Sequence, residues 1–142
     1  MHVKALVLMA LLLFLLMILL HIIDDFVLQP VCLSKLKQKA YWENNELGRK
    51  LLYRNDYKAA LFIHGLSWSI MVHLPLMCMQ FIHDYKLGTP CICIGVLAHA
   101  VIHAYIDDIK ANLHDINLIQ DQLLHFAQLV SIFMLWYGIV VL

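Results

Sequence analysis

Residues Ala5–Leu20 form a run of sixteen consecutive apolar side chains, and this run constrains the fold of the 142-residue chain more than any other feature. The apolar pattern resumes after His21 and Asp24-Asp25 and stops at Pro30. At about 1.5 Å per residue, such a helix can cross a hydrocarbon layer about 30 Å thick. The competing interpretation is a secretory signal peptide, but no small-residue cleavage site precedes a polar mature sequence. We therefore predict a retained transmembrane helix.

The composition of the whole chain agrees with a membrane protein. Hydrophobic residues make up 63% of it and charged residues 14%, whereas soluble domains have about 45–50% and about 25%. Ten Lys and Arg balance ten Asp and Glu, so the charge gives no indication of a nucleic-acid partner. The four cysteines do not have the spacing of a disulfide framework. Lipid is the expected solvent and partner of this chain.

We predict an all-α fold, an integral membrane antiparallel four-helix bundle that forms one transmembrane domain over residues 1–142. Its helices are expected at about 5–29, 58–82, 90–110 and 117–142, and a loop at 30–57 joins the first two. Leu33, Leu36 and Ala40 would share one face of a short helix lying on the membrane surface, and a plain connecting loop is the alternative.

Basic residues are distributed unequally between the two sides of the predicted bundle. Eight lie at the end that contains the long loop, and two lie at the other end, which are Lys4 and Lys86. The eight are Lys35, Lys37, Lys39, Arg49, Lys50, Arg54, Lys58 and Lys110. The positive-inside rule then places residues 30–58 in the cytoplasm and both termini outside.

Each predicted helix carries ionisable residues, which are costly in hydrocarbon and normally face a partner or a cavity. Several of them are spaced four residues apart, which places them on one helix face. Counted back from the predicted helix ends, they lie about 4–12 Å inside the cytoplasmic end of all four helices. This layer contains His21, Asp25, His64, His103, Asp107, Asp121 and His125. His73 and His99 lie deeper, and His2, His83 and His114 lie at helix ends or in links.

Imidazoles and carboxylates on facing helices are the ligands that four-helix bundles use for divalent metals. We therefore predict a site for one or two ions of zinc, manganese or iron, among which the spacing does not choose. Two alternatives are a pathway for protons or ions, and interhelical hydrogen bonds that only tie the bundle together.

The same residues carry a resemblance that spans nearly the whole chain. The pattern His21-x-x-x-Asp25-Phe26-x-x-Gln29, His64, His99-x-x-x-His103-x-x-x-Asp107-x-x-Lys110 and Asp121-Gln122-x-x-His125 resembles an uncharacterised family of small membrane proteins from bacteria and their phages. It is more distantly similar to membrane-bound metal-dependent hydrolases. The resemblance implies a location in the bacterial inner membrane. The doubled acids Asp24-Asp25 and Asp107-Asp108 depart from the pattern and leave open which acid of each pair faces inward.

The leading functional expectation is a metal-dependent hydrolase that acts on an anionic, phosphate-containing small molecule or lipid. Lys110 would stabilise developing charge, and Gln29 or Gln122 would position the substrate. Lys35, Lys37 and the pair Arg49-Lys50 would attract phosphate groups. Two other classes stay open: a channel or transporter for protons or divalent metals, which a homo-oligomer could complete, and a non-catalytic phage or host membrane factor.

Overall fold

The computed structural model describes residues 2–44, 51–83 and 89–140, and these residues are almost entirely helical. Four long helices are α1 (His2–Ile22), α4 (Asp56–His83), α5 (Thr89–Asp108) and α6 (Leu118–Val140). Two short helices, α2 (Val31–Leu36) and α3 (Lys39–Glu43), follow α1. The predicted all-α class with four long apolar helices is confirmed. Arg49, Lys50 and Lys86, which contribute to the charge asymmetry, lie outside the described residues.

Helices α1 and α5 both end in π-helical turns, at Ile23–Leu28 and Ile109–Leu113. The first turn ends before Pro30, which has no amide hydrogen to continue a helix. The second ends at His114, which adopts a left-handed conformation with φ of 60°. A π-helical turn holds more residues than an α-helical turn and is frequent at functional sites. Both turns therefore change which side chains point inward at the ends of these helices.

Helix α6 begins with a reciprocal cap. The side-chain oxygen of Asn117 accepts a hydrogen bond from the Gln120 amide at 3.0 Å, and the Gln120 side chain accepts one from the Asn117 amide at 2.9 Å. This arrangement is a capping box, in which two amide groups at a helix start are satisfied by side chains. The cap fixes the start of α6 and with it the positions of Asp121 and His125.

Helix α4 is the central element and contacts every other helix. The core contains Leu13 and Met17 from α1, Trp68, Val72 and Leu76 from α4, and Leu129, Ile132 and Trp136 from α6. Helix α5 approaches α4 through small residues, because Gly65 lies directly against the backbone of Ala100 and Ala104. Small residues at such contacts let helix backbones approach closely in membrane proteins.

The segment after α1 folds back against α4 and is neither a single surface helix nor a plain loop. Gln38 has an extended backbone, which separates α2 from α3. Leu33 and Leu36 are half-buried, whereas Ala40 is exposed, so the three residues do not share one buried face. Lys37, which the sequence analysis expects to attract phosphate groups, is buried.

The outer surface of the bundle is apolar. Four helical stretches are long and apolar enough to cross a membrane, at Val3–Leu28, Asp56–Ile82, Pro90–Leu113 and Leu118–Gly138. Along α1, Leu8, Leu11, Leu12 and Leu15 are each more than half exposed. This exposure is expected where lipid rather than water surrounds a helix.

The close approach of α4 and α5 gives the first prediction. Gly65→Ala places a methyl group against the Ala100 carbonyl oxygen, and we expect the free energy of unfolding to fall by about 1–3 kcal/mol. The matched control is Gly138→Ala, since an added Cβ there meets nothing within 4 Å. The control should be neutral or stabilising by up to about 1 kcal/mol, through helix propensity. Denaturant unfolding in detergent measures both, and equal effects would contradict this account of the packing.

Candidate metal centre

Histidine and aspartate side chains from all four long helices or the turns that end them meet in one buried cluster. We call it the His/Asp cluster and define it by Asp24, Asp25, His64, His103, Asp107, Asp121 and His125. His103 and His125 are completely buried, and their rings stack with centroids 4.0 Å apart. Of the residues predicted from sequence, all seven lie in or beside this cluster, and His21 is the one that lies beside it.

The first group of nitrogen and oxygen atoms joins α1, α4 and α5. His64 Nε2 lies 3.4 Å from Asp25 Oδ1 and 3.6 Å from Asp107 Oδ2. His103 Nε2 lies 3.9 Å from each of the same two oxygens. Two imidazole nitrogens and two carboxylate oxygens thus surround one small volume.

The second group joins α5 and α6. His125 Nε2 lies 3.4 Å from Asp107 Oδ1 and 3.4 Å from Asp121 Oδ1. Asp107 therefore offers one oxygen to each group and lies between them. His103, Asp107 and His125 also form a set whose potential ligand atoms lie within 4.8 Å of one another.

The distances within both groups suit metal ligands better than hydrogen-bond partners. Hydrogen bonds of this type are about 2.7–3.2 Å long, whereas two ligands about 2.1 Å from one ion lie about 3.4 Å apart at a tetrahedral angle. Within the described residues, both ring nitrogens of His103 and of His125 make no hydrogen bond, and neither do Asp25 Oδ1 and Asp121 Oδ1. Buried polar atoms without partners are costly. These groups could therefore hold a metal ion.

The π-helical turn after α1 brings both neighbouring acids into the cluster. Asp24 Oδ1 accepts a hydrogen bond from the Ser67 hydroxyl at 2.7 Å, and Asp24 Oδ2 lies 3.7 Å from His64 Nδ1. Asp25 faces the other nitrogen of the same imidazole. Each of the two adjacent acids therefore lies near one nitrogen of His64, and both face inward.

In the second pair of adjacent acids, Asp107-Asp108, the two carboxylates contact different partners. Asp107 faces the cluster, whereas Asp108 accepts a hydrogen bond from the Asn112 side chain at 2.6 Å. Asn112 in turn bonds the Lys37 carbonyl oxygen at 3.1 Å and the Lys39 amide at 2.7 Å. Asn112 therefore clamps the junction between α2 and α3, which positions the Lys37 side chain.

His21, predicted as a ligand, has a different environment from the other three histidines. Its Nδ1 accepts a hydrogen bond from the Trp68 indole at 2.7 Å, and its Nε2 lies 3.2 Å from Gln122 Oε1. Since the indole can only donate, the hydrogen of a neutral His21 ring is on Nε2 and is donated to Gln122. The Gln122 amide then donates to Asp25 and Asp121, each at 3.2 Å. His21 thus acts through Gln122 to orient two carboxylates.

Two lysines bring positive charge to the cluster. Lys37 Nζ donates to Asp107 Oδ2 at 2.6 Å, and Lys110 Nζ donates to Asp121 Oδ2 at 2.5 Å. Four carboxylates thus face two ammonium groups, and His125 lies between two of these carboxylates. Unbalanced buried charge is strongly unfavourable, and a proton on an imidazole or a bound cation would reduce it.

A polar cavity of about 380 Å³ opens beside the cluster. Asp25, Asp107 and Asp121 face it, as do Lys37 and Lys110. The three residues predicted to act on a substrate, Gln29, Lys110 and Gln122, all line it. The cavity therefore gives a small polar molecule access to the edge of the cluster.

Sequence reasoning did not identify several residues that build this site. Trp68 bonds His21 and stacks on His103 with ring centroids 4.3 Å apart, but a tryptophan in an apolar helix gives no such signal. A weak signal for it exists, because Trp68 follows His64 by four residues and shares its face. Asn112 and the inward position of Lys37 depend on the folded-back segment, which the spacing of residues does not reveal.

Comparison of this chain with protein-family models, with curated proteins and with solved structures finds no match. The family resemblance described above therefore stays a prediction, and the site rests on its own geometry.

The buried lysine gives the second prediction. Lys37→Met removes the ammonium group from Asp107 and leaves a buried carboxylate unpaired, which should cost about 3–5 kcal/mol of unfolding free energy in chelator-treated protein. The control is Lys39→Met, since Lys39 pairs with Glu43 at the surface and should change stability by less than about 1 kcal/mol. Chemical denaturation measures both. Equal stability of the two variants would show that Lys37 does not compensate the Asp107 charge.

Proposed function

We propose that this protein is a metal-dependent hydrolase embedded in the bacterial inner membrane, acting at the cytoplasmic face on a phosphate-containing substrate, which includes lipid-linked phosphates. Its four long helices form an antiparallel bundle, with both termini outside and residues 30–58 in the cytoplasm. The four apolar helices and the concentration of Lys and Arg in residues 30–58 support this arrangement.

The observation that carries the proposal is that the cluster is open on one side and closed on the other. Each long helix has one fully buried apolar residue on the membrane-centre side of the cluster. This residue lies three or four positions along the chain from His21, His64, His103 or His125. These residues are Met17, Trp68, Ala100 and Leu129, and each has 0% exposure. We call them the apolar floor. The polar cavity lies on the opposite side, so the cluster resembles the end of a pocket, as a catalytic site requires.

The apolar floor also bears on the transport alternative. A path for protons or metal ions needs polar groups or water through the depth of the bundle. Along their helices, the residues of the apolar floor lie between the cluster and the deeper histidines His73 and His99, at a level where the buried polar residues are Ser69 and Gln128. A non-catalytic membrane factor would have no need of a buried charge cluster with an entrance. The hydrolase is therefore favoured over both.

A single divalent cation of zinc, manganese or iron is proposed for the cluster, held by Asp25, His64, His103 and Asp107. Asp121 and His125 offer a second set through the other oxygen of Asp107. When bound, the cation supplies Lewis acidity toward a phosphoryl oxygen and an activated water.

The residues that line the cavity account for the choice of a phosphate substrate. Lys110 is about one-third exposed and lies at the cavity, so its ammonium group can turn from Asp121 to a phosphate oxygen. Lys37 is more deeply buried and lies beside Gln29, whose side-chain oxygen accepts its hydrogen bond at 3.3 Å. Gln122 holds two carboxylates in place while its own position is fixed by His21. Together these groups bind and orient an anion next to the cluster.

The third prediction concerns metal content. Protein purified in detergent and offered zinc, manganese and iron should retain about one equivalent of one metal by elemental analysis, held by the buried His and Asp ligand atoms. His103→Ala should lose it, and so should Asp25→Asn, which changes no volume. His99→Phe is the control, because His99 lies outside the cluster and its ring nitrogen faces the Gln128 side chain.

A folded wild-type preparation that binds no metal would contradict the proposed centre. Metal retained by both His103→Ala and Asp25→Asn would place it elsewhere in the protein.

The fourth prediction concerns activity, measured as inorganic phosphate released from soluble and lipid-linked phosphate esters by metal-loaded protein. Lys110→Gln should lower kcat/KM about tenfold to a hundredfold, because a charged donor to the reacting phosphate is lost. Lys110→Arg should recover part of this loss. Lys58→Gln removes an exposed lysine that lies over the Tyr57 ring and serves as the control.

Release of phosphate by His103→Ala at the wild-type rate would show that the cluster is not the catalyst. Release that is equal in Lys110→Gln and Lys58→Gln would remove Lys110 from the substrate site.

A further inference from the structure

A second cavity, of about 170 Å³, lies between α4, α5 and α6 on the other side of the apolar floor. Most of its wall is apolar and includes Leu76, Met77 and Trp136. Two histidines that the metal centre does not use, His73 and His99, also line it, with ring centroids 5.6 Å apart. A cavity with an apolar wall and a few fixed polar groups is the usual form of a small-molecule site.

Hydrogen bonds determine which nitrogen of His73 faces the cavity. His73 Nδ1 donates to the carbonyl oxygen of Ser69 at 2.7 Å, so in the neutral ring Nε2 carries the lone pair. The Ser69 hydroxyl bonds the Val96 carbonyl oxygen at 2.8 Å, which ties this part of α4 to α5. His73 Nε2 lies 3.8 Å from the place where a Cβ on Gly95 would stand, and Gly95 lines the cavity. His73 therefore presents a hydrogen-bond acceptor.

The hydrogen bonds of His99 place its ring hydrogen on the other nitrogen from that of His73. The Gln128 side-chain amide donates to the His99 carbonyl oxygen at 2.7 Å, which sets the orientation of the amide. The same nitrogen lies 3.3 Å from His99 Nδ1, which must then accept. A neutral His99 ring carries its hydrogen on Nε2. The two histidines thus provide one acceptor and one donor.

The residues that line this cavity determine which polar head group of a lipid would fit there. No Lys or Arg is found among its lining residues, all of which are in the described part of the chain, so a carboxylate or phosphate would be buried without a countercharge. A ketone or ester oxygen accepts a hydrogen bond but cannot donate one to His73. A hydroxyl group does both.

We propose that this cavity binds a neutral lipid through a free hydroxyl group, which accepts a hydrogen bond from His99 and donates one to His73. The alkyl chain lies against Leu76, Met77 and Trp136. The inference rests on the membrane location in the proposed function and is independent of the metal centre and of hydrolysis.

The test is photolabelling of purified protein in detergent with a long straight-chain alcohol and with an isoprenoid alcohol, each carrying a diazirine near the oxygen. The methyl ether of each probe accepts a hydrogen bond but cannot donate one. Since one hydrogen bond contributes a factor of about three to ten, at least one alcohol should label the cavity peptides about threefold to tenfold more than its ether. The alcohol that labels more strongly identifies the chain type.

Matched variants locate the label. Gly95→Leu fills the cavity and should reduce labelling to the level of the ether, whereas Gly138→Leu adds the same side chain in open space and should leave labelling unchanged. His99→Phe keeps the ring volume and removes the donor, so it gives the same test if Gly95→Leu does not fold. Metal content of His99→Phe should equal that of the wild type, which separates this site from the metal centre.

Equal labelling by each alcohol and its ether would overturn the proposal. Labelling by the alcohols that persists in both Gly95→Leu and His99→Phe would also overturn it, because the label would then lie outside the cavity.

Discussion

Burying four carboxylates in the interior of an apolar bundle is the constraint on which the rest of the structure depends. Their mutual repulsion and loss of hydration oppose folding, so cations and hydrogen-bond donors must come to them. Lys37 and Lys110 supply two ammonium groups. Ser67 and Gln122 supply neutral donors. The excess of carboxylates over ammonium groups is one ground for the divalent cation that we propose at this site.

The need to bring charge inward explains features of the chain that the helices alone do not require. Residues 31–43 fold back against α4 so that Lys37 can reach Asp107 from outside the bundle. The two π-helical turns lie where α1 and α5 reach the cluster, and each adjusts the facing of the residues around it. An ordinary α-helix turns about 100° per residue, so Asp24 and Asp25 would point in different directions. In this turn, Asp24 Oδ2 lies 3.7 Å from His64 Nδ1 and Asp25 Oδ1 lies 3.4 Å from His64 Nε2, so the two acids approach different nitrogens of one imidazole.

Much of the site could be predicted because i, i+4 spacing and depth are both readable from sequence. His103 with Asp107 and Asp121 with His125 occupy single helix faces, and the ends of the apolar segments place them at one level. What could not be predicted depends on local departures from the α-helix and on long-range contacts. The environment of His21 is an example, since only the fold shows that Trp68 and Gln122 occupy its two nitrogens. The sequence analysis left open whether Asp24 or Asp25 faces inward, because in a regular α-helix adjacent side chains point in different directions.

The apolar floor separates two kinds of chemistry within one small bundle. On one side, histidines face carboxylates and lysines, and we propose a divalent cation and a phosphate there. On the other side, His73 and His99 are held by Ser69 and Gln128, and we propose a neutral hydroxyl group there. The same residue type therefore serves different purposes because its neighbours differ. Trp68 contributes to the separation and to the site at once, since its ring stacks on His103 while its N–H orients His21. Because the packed indole displaces water beside the buried charges, electrostatic interactions within the cluster are stronger than they would be in a solvated site.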